Sequence, residues 1–470
     1  MVKKILLFLC FILLISCKKN EDNASNVTWI GGEIVNPRGD YVIFFKDEHI
    51  LDSVKLNENN FFLYRAEGIK TGLYSFHHIE FQVMFIEPGD SLMLRVNTID
   101  FDESLSYTGK GAEKNNFLMD MFLHNEMEIE LMPKLYRLPP KEFEIKLDSL
   151  KKIKTDLFEE FKIKYESNAR FEEVAEASID YDYYSKKELY TSANAGKISN
   201  DTVNKFPEGF YNYRKEIDFG SENLRSYFPY YRFLYRYFDN LASKKYSENG
   251  YYNKNSFKHN YNKIKIIDSL VTNDSLKNSL VKNIAGRYLL KCNNPDKQKK
   301  ILDIFLKINT NNAHHRIINE LAESSMKLTP GNKIPNLLLI TTENTLKDLQ
   351  SIIYRPTVFF FWSSNSVKHY KNIHIKVAEL KSKYPEYNFI GINTDDNYIN
   401  WSKTVTKFGY IKGQEYQFEN IAQAEKKLVI YSVNKAIIVD KKGAILEGST
   451  NLFNLNFEET LQRYLNNQSQ

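Results

Sequence analysis

Cysteine is nearly absent from this chain of 470 residues: it occurs three times, at positions 10, 17 and 292. No two of these stand as the closely spaced thiol pair that disulfide exchange needs. One-sided charge is absent too. The 64 Lys and Arg oppose 59 Asp and Glu, leaving a net charge of +5 spread along the chain. Composition therefore makes no case for nucleic acid or for an acidic substrate. A phosphate-binding glycine loop is missing, because Gly109-Lys110-Gly111 lacks the long glycine spacing and the Lys-Ser/Thr pair, and reads as a turn. Arg38-Gly39-Asp40 is likewise accounted for by a turn between strands. His77-His78 and His314-His315 are adjacent pairs without further ligands, so neither a metal nor a cofactor is expected. What the composition does supply is core material. Hydrophobic residues make up 42% and aromatics 14%, enough for two or three packed domains rather than a disordered chain.

The first seventeen residues carry the most specific signal. Lys3 and Lys4 precede an apolar run from Ile5 to Ile15 that ends at Ser16-Cys17. A basic start, an apolar stretch too short for a stable span and a small residue before the cut describe a secretory signal. Leu14-Ile15-Ser16-Cys17 resembles the lipobox of bacterial lipoproteins, in which the cysteine is acylated and becomes the mature N-terminus. The resemblance implies a lipoprotein signal peptide over 1–17, lipidation at Cys17, and a polar tether over 18–27. Acyl chains would then hold the chain to a membrane at about 0.8 kcal/mol per buried methylene. Neither Lys18 nor Lys19 is an aspartate, which favours release to the outer membrane, facing the periplasm or the cell surface. The lysine-then-acidic tether is weakly similar to the export tether of Bacteroidota surface lipoproteins. With Cys10 removed and Cys17 acylated, Cys292 is the one thiol left, and no internal disulfide can form.

From Thr28 to about Thr108 the pattern is strand and turn. Tyr41–Phe45, Asn60–Tyr64, Phe81–Ile86 and Ser91–Val96 are short β-rich runs. Asn36-Pro37-Arg38-Gly39-Asp40 and Glu87-Pro88-Gly89-Asp90 lie between them, and Pro88-Gly89 suits the two central positions of a type II turn. This predicts a β-sandwich-like module over 28–112. A helical period follows over 113–328. Between Lys141 and Tyr165 the residues Phe143, Ile145, Leu147, Leu150, Ile153, Leu157 and Phe161 form one stripe. Further helices are expected near 222–244, 260–291, 296–308 and 314–328, broken at Pro207, Gly209, Gly250 and Asn293-Asn294-Pro295. The aromatic stretch from Tyr227 to Phe238 interleaves Arg225, Arg232 and Arg236. Such a pattern can bind single-stranded nucleic acid or sugars, but export removes the first option. A helix packed on two sides, its Arg stems reaching for solvent, is the preferred reading. Cys292 is expected to be a small buried hydrophobe.

Beyond Pro330-Gly331 strands alternate with helices: Thr357–Phe361, then Lys368–Tyr384 helical, then Tyr387–Asn393, Lys435–Asp440, Ala444–Leu446, and a closing helix over Phe457–Leu465. That order argues an α/β layer with helices on both faces. These last residues resemble the thioredoxin-like domain of the TlpA-type, membrane-anchored thiol–disulfide oxidoreductases. Landmarks appear in order: Gly331-Asn332-Lys333-Ile334-Pro335, Phe361-Trp362-Ser363-Ser364, Gly391-Ile392-Asn393-Thr394-Asp395 with Trp401 after it, and Ile437-Ile438-Val439-Asp440-Lys441-Lys442-Gly443. The Glu87–Asp90 turn and Tyr107–Ala112 also resemble the module that precedes this domain in Bacteroidota members. The chain is thus read as multidomain α+β: a β-sandwich-like module, a helical middle region, and a C-terminal α/β thioredoxin-like domain over 329–470.

The resemblance implies a Cys-x-x-Cys pair at the start of a helix, where the dipole and the second thiol activate the first. Counted from Phe361, those positions are Ser366 and His369. The cis-proline of the family falls on Asn434, six residues before Asp440. A non-proline cis bond costs about 3 kcal/mol, so the loop Val433-Asn434-Lys435 is expected to be trans. Ser366 and His369 are close enough in sequence to touch on a helix, but no motif supplies the acid and oxyanion site a hydrolase needs. Ser366 is expected instead to cap the helix. A peroxiredoxin-type reading fails for lack of a cysteine near Thr357. The preferred function is a redox-inactive envelope lipoprotein, a pseudoenzyme whose groove around Trp362, Ser366, His369 and Asn434 holds an extended peptide or partner protein. One alternative is thiol–disulfide exchange through Cys292, which requires that this thiol be exposed. Another is an envelope scaffold with a vestigial groove.

Overall fold

The structure is a computed structural model that describes residues 27–194, 206–246 and 253–468. The stretch expected to be a signal peptide, Cys17 and nearly all of the expected tether, as well as Gly250, lie outside the described residues. The chain forms two compact units, residues 1–252 and 253–470. The expected helical middle region is therefore not one body, because its helices are divided between the two units.

In the first unit the short β-rich runs become two four-stranded sheets. The strands are β1 (Thr28–Val35), β2 (Tyr41–Lys46), β3 (His49–Lys55), β4 (Phe61–Ala66), β5 (Gly72–His78), β6 (Glu80–Ile86), β7 (Ser91–Asn97) and β8 (Ser106–Lys110). One sheet has the order β4-β1-β7-β8, with β1 and β7 parallel, and the other β3-β2-β5-β6. β7 shows why they pack: Leu92, Leu94 and Val96 are buried while Ser91, Met93 and Arg95 face out, the period of a half-buried strand. These side chains join Ile30, Ile34, Val42, Phe44, Phe76 and Met84 in one core. The Glu87–Asp90 turn closes as the sequence predicts, with Asp90 N donating to Glu87 O at 3.1 Å and Gly89 at φ 80°. Gly109 is not in a turn; it belongs to β8.

Four long helices complete this unit: α1 (Ala112–Ile129), α2 (Pro140–Lys164), α3 (Ala169–Asn194) and α4 (Phe228–Tyr246). In α2 the buried face runs through Phe143, Leu147, Lys154, Phe158 and Phe161. Ile145 and Ile153, placed on that stripe by spacing, are 55% and 53% exposed. The face shifts because Lys154 Nζ turns inward, donating to Asn125 Oδ1 at 2.6 Å and pairing with Glu128 and Asp182 at 3.1 Å each. Lys186 pairs with the same two carboxylates, and Arg232 Nη2 reaches Asp182 Oδ1 at 2.6 Å. Burial would raise the Asp182 pKa, but Lys186, Lys154 and Arg232 together hold it below the usual carboxylate value. The aromatic–arginine stretch is core: Tyr230, Phe233 and Phe238 have no exposure.

The second unit begins with α5 (Phe257–Leu270), α6 (Asp274–Lys291), α7 (Pro295–Ile308) and α8 (Asn312–Lys327). The single expected helix over 260–291 is two, because Asn273 caps α6 by accepting from Leu276 N. A seven-stranded sheet follows. Its strands are β9 (Leu338–Ile340), β10 (Leu346–Asp348), β11 (Thr357–Trp362), β12 (Asn388–Asn393), β13 (Glu415–Phe418), β14 (Ala436–Val439) and β15 (Ile445–Thr450). The order is β10-β9-β13-β12-β11-β14-β15, with β11, β12 and β13 parallel and β14 antiparallel to β11. β11 and β12 are buried at every residue, as central strands between helical layers must be. The crossover helices are α9 (Val367–Lys383), α10 (Tyr398–Phe408) and α11 (Ile421–Leu428), and α12 (Phe457–Gln468) closes the chain. Among the described residues no helix is long and apolar enough to cross a membrane.

Candidate functional site

The parallel strands β11, β12 and β13 end together, and open α/β sheets place their sites beyond such ends. Asp395, just past β12, organises this edge. It accepts from Ser363 Oγ at 2.6 Å, Ser364 N at 2.5 Å and Asn393 Nδ2 at 3.1 Å. Gln417 Nε2 from β13 donates to the Asp395 carbonyl at 2.7 Å. The turn from Ser363 to Ser366 is thus tied down by one carboxylate before α9 begins.

Ser366 stands at the N-cap of α9 with φ −109° and ψ 77°, and its hydroxyl makes no capping bond. The expected serine cap is absent because Asp395 fixes the turn from the side. His369 is half-buried on the first turn, and neither ring nitrogen has a hydrogen-bond partner of good geometry. Burial lowers its pKa, the Asn434 amide opposes that shift, and His374 adds to it. His369 and Asn434 are therefore brought together, whereas Ser366 and His369 do not bond. Asn434 is exposed, its N–H donates to Ser432 Oγ at 3.2 Å, and its peptide is trans. The neighbouring Lys435 is buried, with Nζ donating to Leu428 O at 2.7 Å and Val429 O at 3.2 Å.

Trp362 corrects the expected groove. It has no exposure and cannot line an open surface. Its Nε1 donates to Glu415 Oε2 at 2.9 Å, and His374 Nε2 approaches Glu415 Oε1 at 3.3 Å. His374 Nδ1 meets the Tyr370 carbonyl at 2.7 Å, and its ring stacks on Tyr410 at 3.7 Å. Both imidazole nitrogens face oxygen acceptors, so the ring is held between the Tyr370 carbonyl and Glu415. Gly391 makes room for this carboxylate, since a Cβ there would lie 2.4 Å from Glu415 Oε2. An open pocket of about 480 Å³ lies over this pair, between α9 and the segment Phe408–Ile411. Sequence reasoning missed Glu415 and Asp395. Glu415 opens a four-residue strand, EYQF, that carries neither length nor alternation, whereas Asp395 lay inside the quoted Gly391–Asp395 motif.

Cys292 is also corrected: it is half-buried, at the C-terminal end of α6. Its Sγ donates to Tyr288 Oη at 3.3 Å. His78 is buried with Nδ1 on the Tyr41 carbonyl at 2.9 Å, while His77 packs on Phe81. His315 reaches the Asn309 carbonyl, and Asn309 also faces His314. His78 Nε2 is buried without a partner, and His314 Nε2 lies 3.3 Å from Lys282 Nζ.

No protein-family model matches the chain, and no curated protein matches it. Solved structures do resemble parts of it. The thioredoxin domain of a thiol-disulfide oxidoreductase from Bacteroides vulgatus is 14% identical, with 29% of this chain and 97% of that one covered and a TM-score of 0.26. A thiol:disulfide interchange protein from Bacteroides sp. is 17% identical, covering 30% and 93%, with a TM-score of 0.26. A thioredoxin-like protein from Bacteroides caccae is 13% identical, covering 60% and 94%, with a TM-score of 0.35.

Proposed function

We propose that this chain is a lipid-anchored envelope protein whose C-terminal domain is thioredoxin-like and binds an extended peptide or partner protein without exchanging disulfides. One observation carries the reading. Half-buried His369 and exposed Asn434 face each other at the start of α9, in the positions where the resemblance puts a cysteine and the cis-proline, and no sulfur lies there. Ser366 holds the other cysteine position. A polypeptide laid along Val433-Asn434 would meet the exposed Asn434, with His369 behind it, but nothing that can attack a disulfide. Trp362 is removed from the contact surface and supports it from beneath.

The test is insulin disulfide reduction by the protein and by its Cys292→Ser variant, alongside binding of an unfolded, cysteine-free polypeptide. No reduction by either protein, with binding weakened in Asn434→Trp, is the expected outcome. Reduction that disappears in Cys292→Ser would move the chemistry to α6 and end the pseudoenzyme reading. Anchoring is tested separately, by palmitate incorporation that Cys17→Ala abolishes.

A further inference from the structure

The outer face of the sheet β4-β1-β7-β8 is apolar where a solvated sheet face is ordinarily polar. Its outward positions alternate with the buried core residues of each strand. Trp29, Phe61, Leu63 and Met93 hold four of them and are between 38% and 56% exposed. The strand register brings them together. Gly31, two residues beyond Trp29, stands opposite Leu63 on one side and Met93 on the other. A Cβ at Gly31 would lie 2.9 Å from Leu63 Cδ1 and 3.1 Å from Met93 Sδ, so those two side chains close over it.

Charge surrounds this apolar centre. The Arg65 guanidinium lies over the Trp29 ring at 6.0 Å and also pairs with Glu67. Phe61 stands opposite Glu33, which pairs with Arg95 at 3.0 Å. Lys110 is exposed at the end of β8. Arg65, Arg95 and Lys110 on this face thus outnumber its one acid, Glu33. The place where the chain enters the fold indicates what covers the patch. Trp29 is the second residue of β1 and comes 12 positions after Cys17. An acyl group on Cys17 would therefore hold the face within about 40 Å of a bilayer. A flexible link of that length gives an effective concentration on the order of millimolar, so a patch too weak to bind a free protein is sufficient for a tethered one. Tryptophan favours the membrane interface, and arginine reaches phosphate while its stem lies on apolar surface.

We infer that this face lies on the lipid bilayer, with Trp29, Phe61, Leu63 and Met93 at the headgroup level and Arg65, Arg95 and Lys110 toward the phosphates. The inference rests on the anchoring at Cys17 proposed above, and the surface belongs wholly to the first unit.

Trp29 is its own reporter, because the other two tryptophans, Trp362 and Trp401, have no exposure. The chain from Cys17 onward, carrying Cys292→Ser, is coupled through Cys17 to phosphatidylcholine vesicles that contain a maleimide lipid. Lipids brominated near the headgroup should quench the parent's emission at least about twice as much as that of Trp29→Phe. Leu63→Ser combined with Met93→Ser, at exposed positions that accept polar side chains, should bring quenching down to the Trp29→Phe level with coupling unchanged. The inference is overturned if the parent and Trp29→Phe are quenched alike, or if the serine variant is quenched like the parent. It is also overturned if Trp29 emission shifts to the blue with rising protein concentration in the absence of vesicles, which would assign the face to a second copy of the chain. Because coupling imposes the attachment, a failure of acylation is read only by palmitate incorporation and a failure of docking only by this quenching.

Discussion

Lys435 places an ammonium inside the protein, hydrogen-bonded to two carbonyls at the end of α11. Burial without a counter-charge lowers its pKa to about 7 from 10.5. In the unfolded chain the group stays protonated up to its ordinary value, so between pH 7 and 10.5 the unfolded state binds more protons. Stability therefore rises with pH across that window, and the full desolvation cost is felt below pH 7. Denaturant unfolding at pH 7 and above should show the parent gaining on Lys435→Met by up to about 1.4 kcal/mol per pH unit. Parallel pH profiles for the two proteins would show that Lys435 titrates normally. Glu415 makes the opposite case, a buried acceptor shared by Trp362 and His374. Glu415→Ala strands both donors and should cost about 3 kcal/mol. A Tm unchanged in that variant would mean that these two hydrogen bonds contribute nothing to holding Trp362 and α9 against β13.

At the scale of elements, Asn115 joins α1 to an otherwise open strand edge. β6 is the last strand of its sheet, and the Asn115 amide accepts from Phe85 N and donates to Phe85 O, both at 2.8 Å. A side chain thus does what another strand would do. Asn115→Ala should destabilise the first unit by about 2–3 kcal/mol, with faster amide exchange at Phe85 than elsewhere in β6. Uniform exchange along β6 would show that the helix docks by apolar contact alone. Four of the eight strands of this sandwich were legible, as short β-rich runs bounded by Pro, Gly and Asn turns. The buried runs of β11 and β12 were equally plain. α3 was not: its inner face carries Asp182, Ser185, Lys186, Lys187 and Glu188, all buried, so hydrophobic spacing could not find it. β13 failed for a related reason, since Glu415 and Gln417 face the interior. For the candidate site the resemblance pointed to Ser366, His369 and Asn434, of which the structure brings His369 and Asn434 together. The aromatic Trp362 was misplaced because a strand-end tryptophan reads the same whether it faces a groove or a core.

At the scale of the whole molecule, the division at 252/253 assigns α5–α8 to the sheet of the second unit. The joins are specific. Ser449 Oγ donates to Leu290 O at 3.1 Å, Asn293 donates to Glu447, and Lys426 pairs with Glu320 at 3.0 Å. Gly448 packs so closely that a Cβ would lie 1.9 Å from the Leu328 carbonyl. Leu328 and Ile301 are buried, and cutting the chain at 329 would expose the β15 and α11 surfaces that the helices cover. A fragment over 253–470 should therefore unfold in one cooperative transition, whereas 329–470 should lose several kcal/mol and tend to aggregate through its uncovered apolar face. The comparison needs only chemical denaturation of the two fragments. Equal midpoints would make 329 the true boundary and leave the helices of 257–327 as a separate domain, with Gly448 and Glu447 making surface contacts of no energetic weight. Unequal midpoints in the expected order would mean that the sheet carrying Ser366, His369 and Asn434 depends on the helices behind it, so that variants in α6 and α8 could alter the peptide surface without touching it.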